Sequence, residues 1–222
     1  DVKRSDVVGR EFYRTFYESL LSRDAELSSD WIAQKRKVGQ WLSAALLEPF
    51  GAPERLHVFS VGAGLGIVEG WLWEQGYHVD VLECEEHSLL NLKKRYPRIR
   101  GIVGDARCIP CRSNTYDLVY MSGVDYCFDR LQYVDVLREA QRLLKLDGRV
   151  ACICLSNLSL KGMIKELAKT FLKRTLAQYA DDEGKIPWGY QRTVGEHVTA
   201  GRKAGLVCEN VSLYDRGFAL RA

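Results

Sequence analysis

LHVFSVGAGLG, residues 56–66, sets the frame for everything around it. Leu56–Val61 is a short apolar run of strand character, and it ends in Gly62-Ala63-Gly64-Leu65-Gly66. Behind the glycines, Ile67, Val68, Trp71 and Leu72 fall at helical spacing, and the stripe stops at Gly76. A strand that runs through glycines into a helix opens a βαβ unit. Glycine lets such a turn fold sharply and lets the backbone approach a ligand without a Cβ in the way.

Working downstream, the pattern repeats. Tyr77–Glu83 alternates like a strand, and the helix over Glu85–Tyr96 halts at Pro97. Ile99–Val103 and Tyr116–Met121 read as a third and a fourth strand. Tyr133, Val136, Leu137, Ala140, Leu143 and Leu144 mark a helix before the turn Asp147-Gly148 and a fifth strand, Arg149–Leu155. Residues 156–192 break the rhythm: Leu160, Met163, Ile164, Leu167 and Phe171 share one helix face, beside a basic stripe of Lys161, Lys165, Lys169 and Lys173. Thr193-Val-Gly-Glu196 matches the capping box and starts another helix, which ends near Gly205. Leu206–Tyr214 reads as a last strand, with Gly217–Arg221 as its hairpin partner. Upstream, residues 6–21 carry Val7, Val8, Phe12, Phe16 and Leu20 on one helix, and a second helix follows Asp30 as N-cap.

Alternating strands and helices imply parallel pairing with helices on both faces. The expected fold is α/β: a doubly wound, mostly parallel seven-stranded sheet with N-terminal helices and a helical cap. It forms a single domain over 1–222, comprising N-terminal helices (1–50), a ligand-binding core (56–155), a cap insertion (156–192) and a C-terminal helix with strands (193–222).

Composition narrows the class. The 222 residues are 46% apolar and 27% charged, ordinary values for a globular chain with one sizeable core. With 32 Lys+Arg against 29 Asp+Glu the net charge is only +3, so nucleic-acid capture by bulk charge is not expected. No apolar run approaches the roughly 18 residues of a membrane span. The seven cysteines are an odd set in a chain of this size and point to a reducing, cytoplasmic setting. Cys152 and Cys154 alternate along the fifth strand and read as small core residues. Cys108 and Cys111 form a C-x-x-C pair, but no second pair or histidine cluster completes a zinc set, so no metal is expected.

The ligand signal is sharper. In an open α/β sheet, ligands sit beyond the carboxyl ends of the strands where strand order reverses, which places Gly62–Gly66 at a binding edge. Glu83, 21 residues after Gly62 and at the end of the next strand, is placed to accept hydrogen bonds from a ribose diol. Its charge would repel a 2′-phosphate. The dinucleotide fingerprint G-x-G-x-x-G needs glycine at 67, where Ile67 stands, which counts against an NAD-linked oxidoreductase.

VGAGLG, the acidic strand end VLECEE, VGDARCIP, YDLVYMSGVDY and LREAQRLLKLDGRVACICLS, in that order, resemble the class I S-adenosylmethionine (SAM) methyltransferases, in particular the type 11 group. The resemblance is close over roughly residues 56–156 and looser over 193–214. It implies that Gly62, Ala63, Gly64 and Gly66 pack against the methionine part of SAM, that Glu83 holds the ribose hydroxyls and that Cys84 lines the adenine. Asp105 and Ala106 match the position that meets the adenine ring and its amino group. Ser122 and Gly123 fall beside the methionine and sulfonium. The product would be S-adenosylhomocysteine.

A sulfonium methyl is already activated, so the protein's task is alignment and exclusion of water. A hydroxyl acceptor also needs a base. Asp125, Tyr126 and Asp129 follow the fourth strand, and His197 opens the capped helix that descends from the same edge; the catalytic candidates are Asp125, Tyr126 and His197. The stretch Met121–Tyr126 lacks the Asp/Asn-Pro-Pro-aromatic motif of nucleic-acid amino methyltransferases, and residues 122–138 lack the paired glutamates of protein arginine methyltransferases. A small-molecule acceptor methylated on O, N or C remains, with Trp188 and Tyr190 as candidate pocket walls. Three rivals stand beside it: the NAD-linked oxidoreductase, a non-catalytic SAM-binding module, and an RNA methyltransferase supported by seven basic groups against Asp105 in residues 93–112. Oligomeric state is not legible.

Overall fold

The computed structural model describes residues 29–154, 185–186, 189–190, 192–212 and 219–220. The expected first helix (6–21), the amphipathic helix over 160–173 and Trp188 lie outside them. Within them, the chain runs α1 (Ser29–Leu42), β1 (His57–Val61), α2 (Ile67–Glu74), β2 (His78–Glu83), α3 (Glu86–Arg95), β3 (Arg100–Val103), β4 (Tyr116–Ser122), α4 (Arg130–Leu143) and β5 (Leu144–Ile153). Then follow β6 (Lys185–Ile186), β7 (Gly189–Tyr190), α5 (Val194–Lys203), β8 (Val211–Ser212) and β9 (Ala219–Leu220).

The main sheet has the order β3-β2-β1-β4-β5, and every pairing in it is parallel. The chain builds outward from β1 to β3, then returns to the other side of β1 with β4, so the order reverses between β1 and β4. Both faces of the central strands are apolar in alternation. Phe59 and Val61 of β1 and Val119 and Met121 of β4 pack under α4 and α5 with Tyr133, Val136, Leu137 and Ala200. Val58, Leu118 and Tyr120 point the other way, onto Leu42 of α1, Val68 and Leu72 of α2 and Leu89 and Leu92 of α3. Two separate core layers therefore enclose the sheet, as the strand–helix alternation implied.

Helix starts are set by their caps. Asp129 accepts from Leu131 and Gln132 N–H while Gln132 Oε1 accepts from Asp129 N–H, which fixes the start of α4. Thr193 and Glu196 close the expected capping box on α5.

The sheet differs from expectation at its far end. Among the described residues it has five strands rather than seven; β6 and β7 pair only with each other, as do β8 and β9. The run from Leu206 does not begin a strand, because Leu206 completes the end of α5. Its N–H bonds to Gly201 O at 2.9 Å and Gly205 N–H bonds to Arg202 O at 3.1 Å, a Schellman closure with Gly205 at φ +84°. Leu206 then packs into the α4–α5 core while Val207 stands exposed. At the other boundary, Leu144 belongs to β5 and not to the helix; it pairs with Tyr116, and the ladder slips before Leu118 meets Arg149.

Candidate active site

The glycine loop lies at the C-terminal end of β1, beside the point where strand order reverses. Gly62, Gly64 and Gly66 all take left-handed backbone, with φ of +76°, +57° and +71°. A side chain at Gly62 would begin 2.5 Å from Val124 Cγ2, and one at Gly66 2.5 Å from Leu92 Cδ1. The loop thus packs tightly on the β4–α4 connection on one side and on α3 on the other. Gly66 serves as the left-handed N-cap of α2.

Glu83 closes the cradle from the end of β2. It is buried, and its Oε1 accepts a hydrogen bond from Gly64 N–H. Burial pushes its carboxyl up to about 7, against the Gly64 bond that favours the ionised form. The carboxylate and the loop therefore touch before any ligand is bound. Next to it, Cys84 is half-buried, and Glu85 caps α3 through Ser88 N at 3.2 Å.

Asp105 and Ala106 follow β3. Ala106 is buried in the core; the Asp105 carboxylate is part-exposed and is gripped by Arg107 through its backbone N–H at 2.8 Å and its guanidinium at 2.5–3.0 Å. Ser122 ends β4 and Gly123 follows it; Gly123 has φ +68° and its N–H donates to Ile153 O of β5 at 2.9 Å.

Past Gly123 the chain makes the turn Asp125–Cys127, and here the structure brings distant residues together. His197 Nε2 lies 3.7 Å from Asp125 Oδ2, and its Nδ1 is 2.9 Å from the Tyr133 hydroxyl and 3.9 Å from Cys154 Sγ. Both ring nitrogens of His197 thus face protein groups. Arg192 holds the turn from outside: its guanidinium donates to the carbonyls of Asp125 (2.5 Å), Phe128 and Asp129 (2.9 Å), and it lies 4.3 Å over the Tyr133 ring. β7 packs on the same turn, which puts the half-buried Tyr190 beside it. Tyr126 is half-buried within the turn.

Sequence reasoning missed Tyr133, Cys154, Arg192 and Glu69. Tyr133 was one more member of a helical stripe and Cys154 one of an alternating pair; neither carries a local signal. Glu69 did leave one, as an acid inside the apolar run IVEGWLW. It is buried beneath the loop and accepts from Ser60 Oγ of β1 at 2.6 Å and from the Tyr120 hydroxyl of β4 at 2.5 Å. Burial raises its carboxyl above the ordinary value. The expected basic cluster of 93–112 is partly spoken for: Lys93 donates to Pro97 O, Arg100 pairs with Asp80 at 3.6 Å and Arg107 with Asp105.

Comparison with known proteins bears on the domain and its fold. Residues 58–148 match a family model described as "Methyltransferase domain". An uncharacterized methyltransferase of Schizosaccharomyces pombe is 27% identical over 118 residues, a match that spans 53% of this chain and 44% of that protein. The chain thus aligns with under half the length of this curated relative. Among solved structures, a Galdieria sulphuraria protein proposed to be a sarcosine dimethylglycine methyltransferase superposes with a TM-score of 0.59 at 17% identity, over 88% of this chain and 74% of that one. A SAM-dependent methyltransferase of Thermotoga maritima gives 0.56 at 17% identity, over 87% and 80%. These structural likenesses speak for the fold. Residues 58–148 are thus similar to a methyltransferase domain, and the fold is that of the SAM-dependent methyltransferases among these structures. Among the described residues, no helix is long and apolar enough to cross a membrane.

Proposed function

We propose that the chain transfers the methyl group of SAM to an O, N or C atom of a small-molecule acceptor, chiefly by holding the two reactants in line. One observation carries the reading. Three left-handed glycines at the strand-order reversal form a backbone cradle, and a buried carboxylate from the neighbouring strand reaches it. The cradle suits the methionine part of SAM, and Glu83 suits its ribose diol. Asp105 and Ala106 would flank the adenine, with Cys84 alongside. Ser122 and Gly123 would lie beside the sulfonium, so the methyl points toward the Asp125–Cys127 turn. Asp125, Tyr126 and His197 stand on that acceptor side, under the wall formed by Tyr190. The rate gain from such alignment comes from pre-ordering the encounter and shutting out water.

Calorimetric titration with SAM, S-adenosylhomocysteine and NAD in parallel tests the reading. Saturable binding of the two sulfur nucleosides, weakened at least tenfold in Glu83→Ala, is the expected result; a ribose contact to an ionised carboxylate contributes about 1.5–3 kcal/mol. Binding of NAD alone would move the chain to the oxidoreductases, and a chain that bound none of the three would retain only the fold.

A further inference from the structure

Asp125, Cys154 and His197 come from the β4–α4 turn, the end of β5 and the first turn of α5, and the fold brings one ligand atom of each to within 4.8 Å of the others. A carboxylate, a thiolate and an imidazole are each zinc ligands, and zinc sites with three protein ligands keep one coordination position open. Zn–N and Zn–S bond lengths imply edges of about 3.3–3.6 Å between ligand atoms around a tetrahedral ion. The observed Asp125 Oδ2–His197 Nε2 separation of 3.7 Å is already close to that.

Two further observations point the same way. Asp125 is 5% exposed, and while the Cys154 thiol donates to its carboxylate, its Oδ1 has no hydrogen-bond partner among the described residues. Such an orphaned buried oxygen is costly unless something binds it. His197 is also oriented from behind: with Nε2 turned to Asp125, its Nδ1–H can donate to the Tyr133 hydroxyl at 2.9 Å, which itself donates to Cys152 Sγ at 3.3 Å, and Cys154 Sγ lies 3.9 Å from the same Nδ1. Metal-bound histidines are oriented by this kind of outer partner. Among the described residues, Arg192 is the cation beside the site; its guanidinium donates to three backbone carbonyls of the turn and lies over the Tyr133 ring, and its charge acts on Asp125 without a hydrogen bond to the carboxylate.

We propose that Asp125, Cys154 and His197 bind a zinc-class divalent transition metal, with an open fourth position facing the acceptor side. Cys154 binds as the thiolate and loses its proton to solvent. Metal binding itself does not depend on methyl transfer. Only the identity of the fourth ligand, a thiol or hydroxyl of the acceptor, rests on the function proposed above.

The test is titration of the chelator-treated full chain with Co2+, read by the thiolate-to-cobalt charge-transfer band and the intense visible bands of tetrahedral cobalt. One equivalent is expected to saturate both, and Zn2+ to displace it. Cys154→Ser abolishes the charge-transfer band, His197→Ala abolishes stoichiometric binding, and Tyr133→Phe weakens it about tenfold through its outer position. The double variant Cys108→Ser/Cys111→Ser keeps the full signal. Circular dichroism and SAM titration of each variant check that it is folded and show whether cofactor binding survives, so a failure of the metal site stays distinct from a failure of the methyltransferase reading. Cobalt bound without a thiolate band, or a band lost only in the Cys108/Cys111 variant, overturns the proposal.

Discussion

Glu83 illustrates how one side chain ties binding to pH. Its carboxyl sits near 7 because burial penalises the charge, more than the Gly64 bond repays. Between its ordinary value of 4.5 and about 7, the folded chain holds a proton that the unfolded chain has lost. Stability therefore falls as pH rises through that window, by about 3 kcal/mol in all, and levels off above it. Glu83→Gln is expected to flatten that part of the curve in denaturant titrations at several pH values. If the ribose diol donates to the ionised carboxylate, SAM binding also expels this proton. At about pH 6 calorimetry in buffers of different ionisation enthalpy should register nearly one proton released per SAM, and at about pH 8 almost none. Uptake of a proton, or no dependence on buffer, would contradict the ribose contact. At the loop itself, Gly66→Ala combines a strained left-handed φ with a Cβ 2.5 Å from Leu92 Cδ1. It should cost about 1–3 kcal/mol of stability, and it should abolish SAM binding while leaving a cooperative unfolding transition.

At the scale of elements, Glu69 links three of them. From α2 it accepts hydroxyl bonds from β1 (Ser60) and β4 (Tyr120), so the helix that follows the glycine loop is bolted to the two strands between which the order reverses. Glu69→Ala removes the shared acceptor of both buried hydroxyls, leaving them only each other, and opens a void. Chemical denaturation should show a loss of about 2–4 kcal/mol. A loss within 0.5 kcal/mol, the range of ordinary surface changes, would mean that water replaces the carboxylate. The same scale explains which elements were legible in the sequence. The strands and helices from Leu56 to Leu143 follow period and punctuation, and the α5 box follows from Thr193 and Glu196 alone. Leu206 reads as a strand start because an apolar residue that closes a Schellman motif looks, in sequence, like the first residue of a strand. The turn at Gly62–Gly66 and its approach to Glu83 are legible because motif and fold coincide there. Tyr133, Cys154 and Arg192 are not, since what gives them a site is the meeting of α4, β5 and the segment before α5, and no local spacing encodes that meeting.

Across the whole molecule, charge gives the measurement that separates the proposed small acceptor from RNA. The net charge is +3, and the structure divides the basic stretch of 93–112 rather than presenting it as one face. Lys93, Arg100 and Arg107 are engaged by Pro97 O, Asp80 and Asp105. Tyr96, the aromatic residue in that stretch, donates its hydroxyl to Glu74 at 3.1 Å and packs its ring against Trp73 at 6.0 Å, so it offers no free stacking platform. Lys94, Arg95, Arg98 and Arg112 remain. If no more than two or three of them reach phosphates together, the slope of log K against log salt for single-stranded RNA stays near −1.5 to −2. Binding measured by fluorescence anisotropy should then be lost by about 0.15 M salt and be indifferent to sequence. Arg98→Ala combined with Arg112→Ala should remove what is seen at low salt without touching SAM affinity, because neither residue lies at the carboxyl ends of β1, β2 or β4. A slope of −4 or steeper, or RNA affinity that survives 0.15 M salt and rises with SAM bound, would instead make the polymer the acceptor and this face its track.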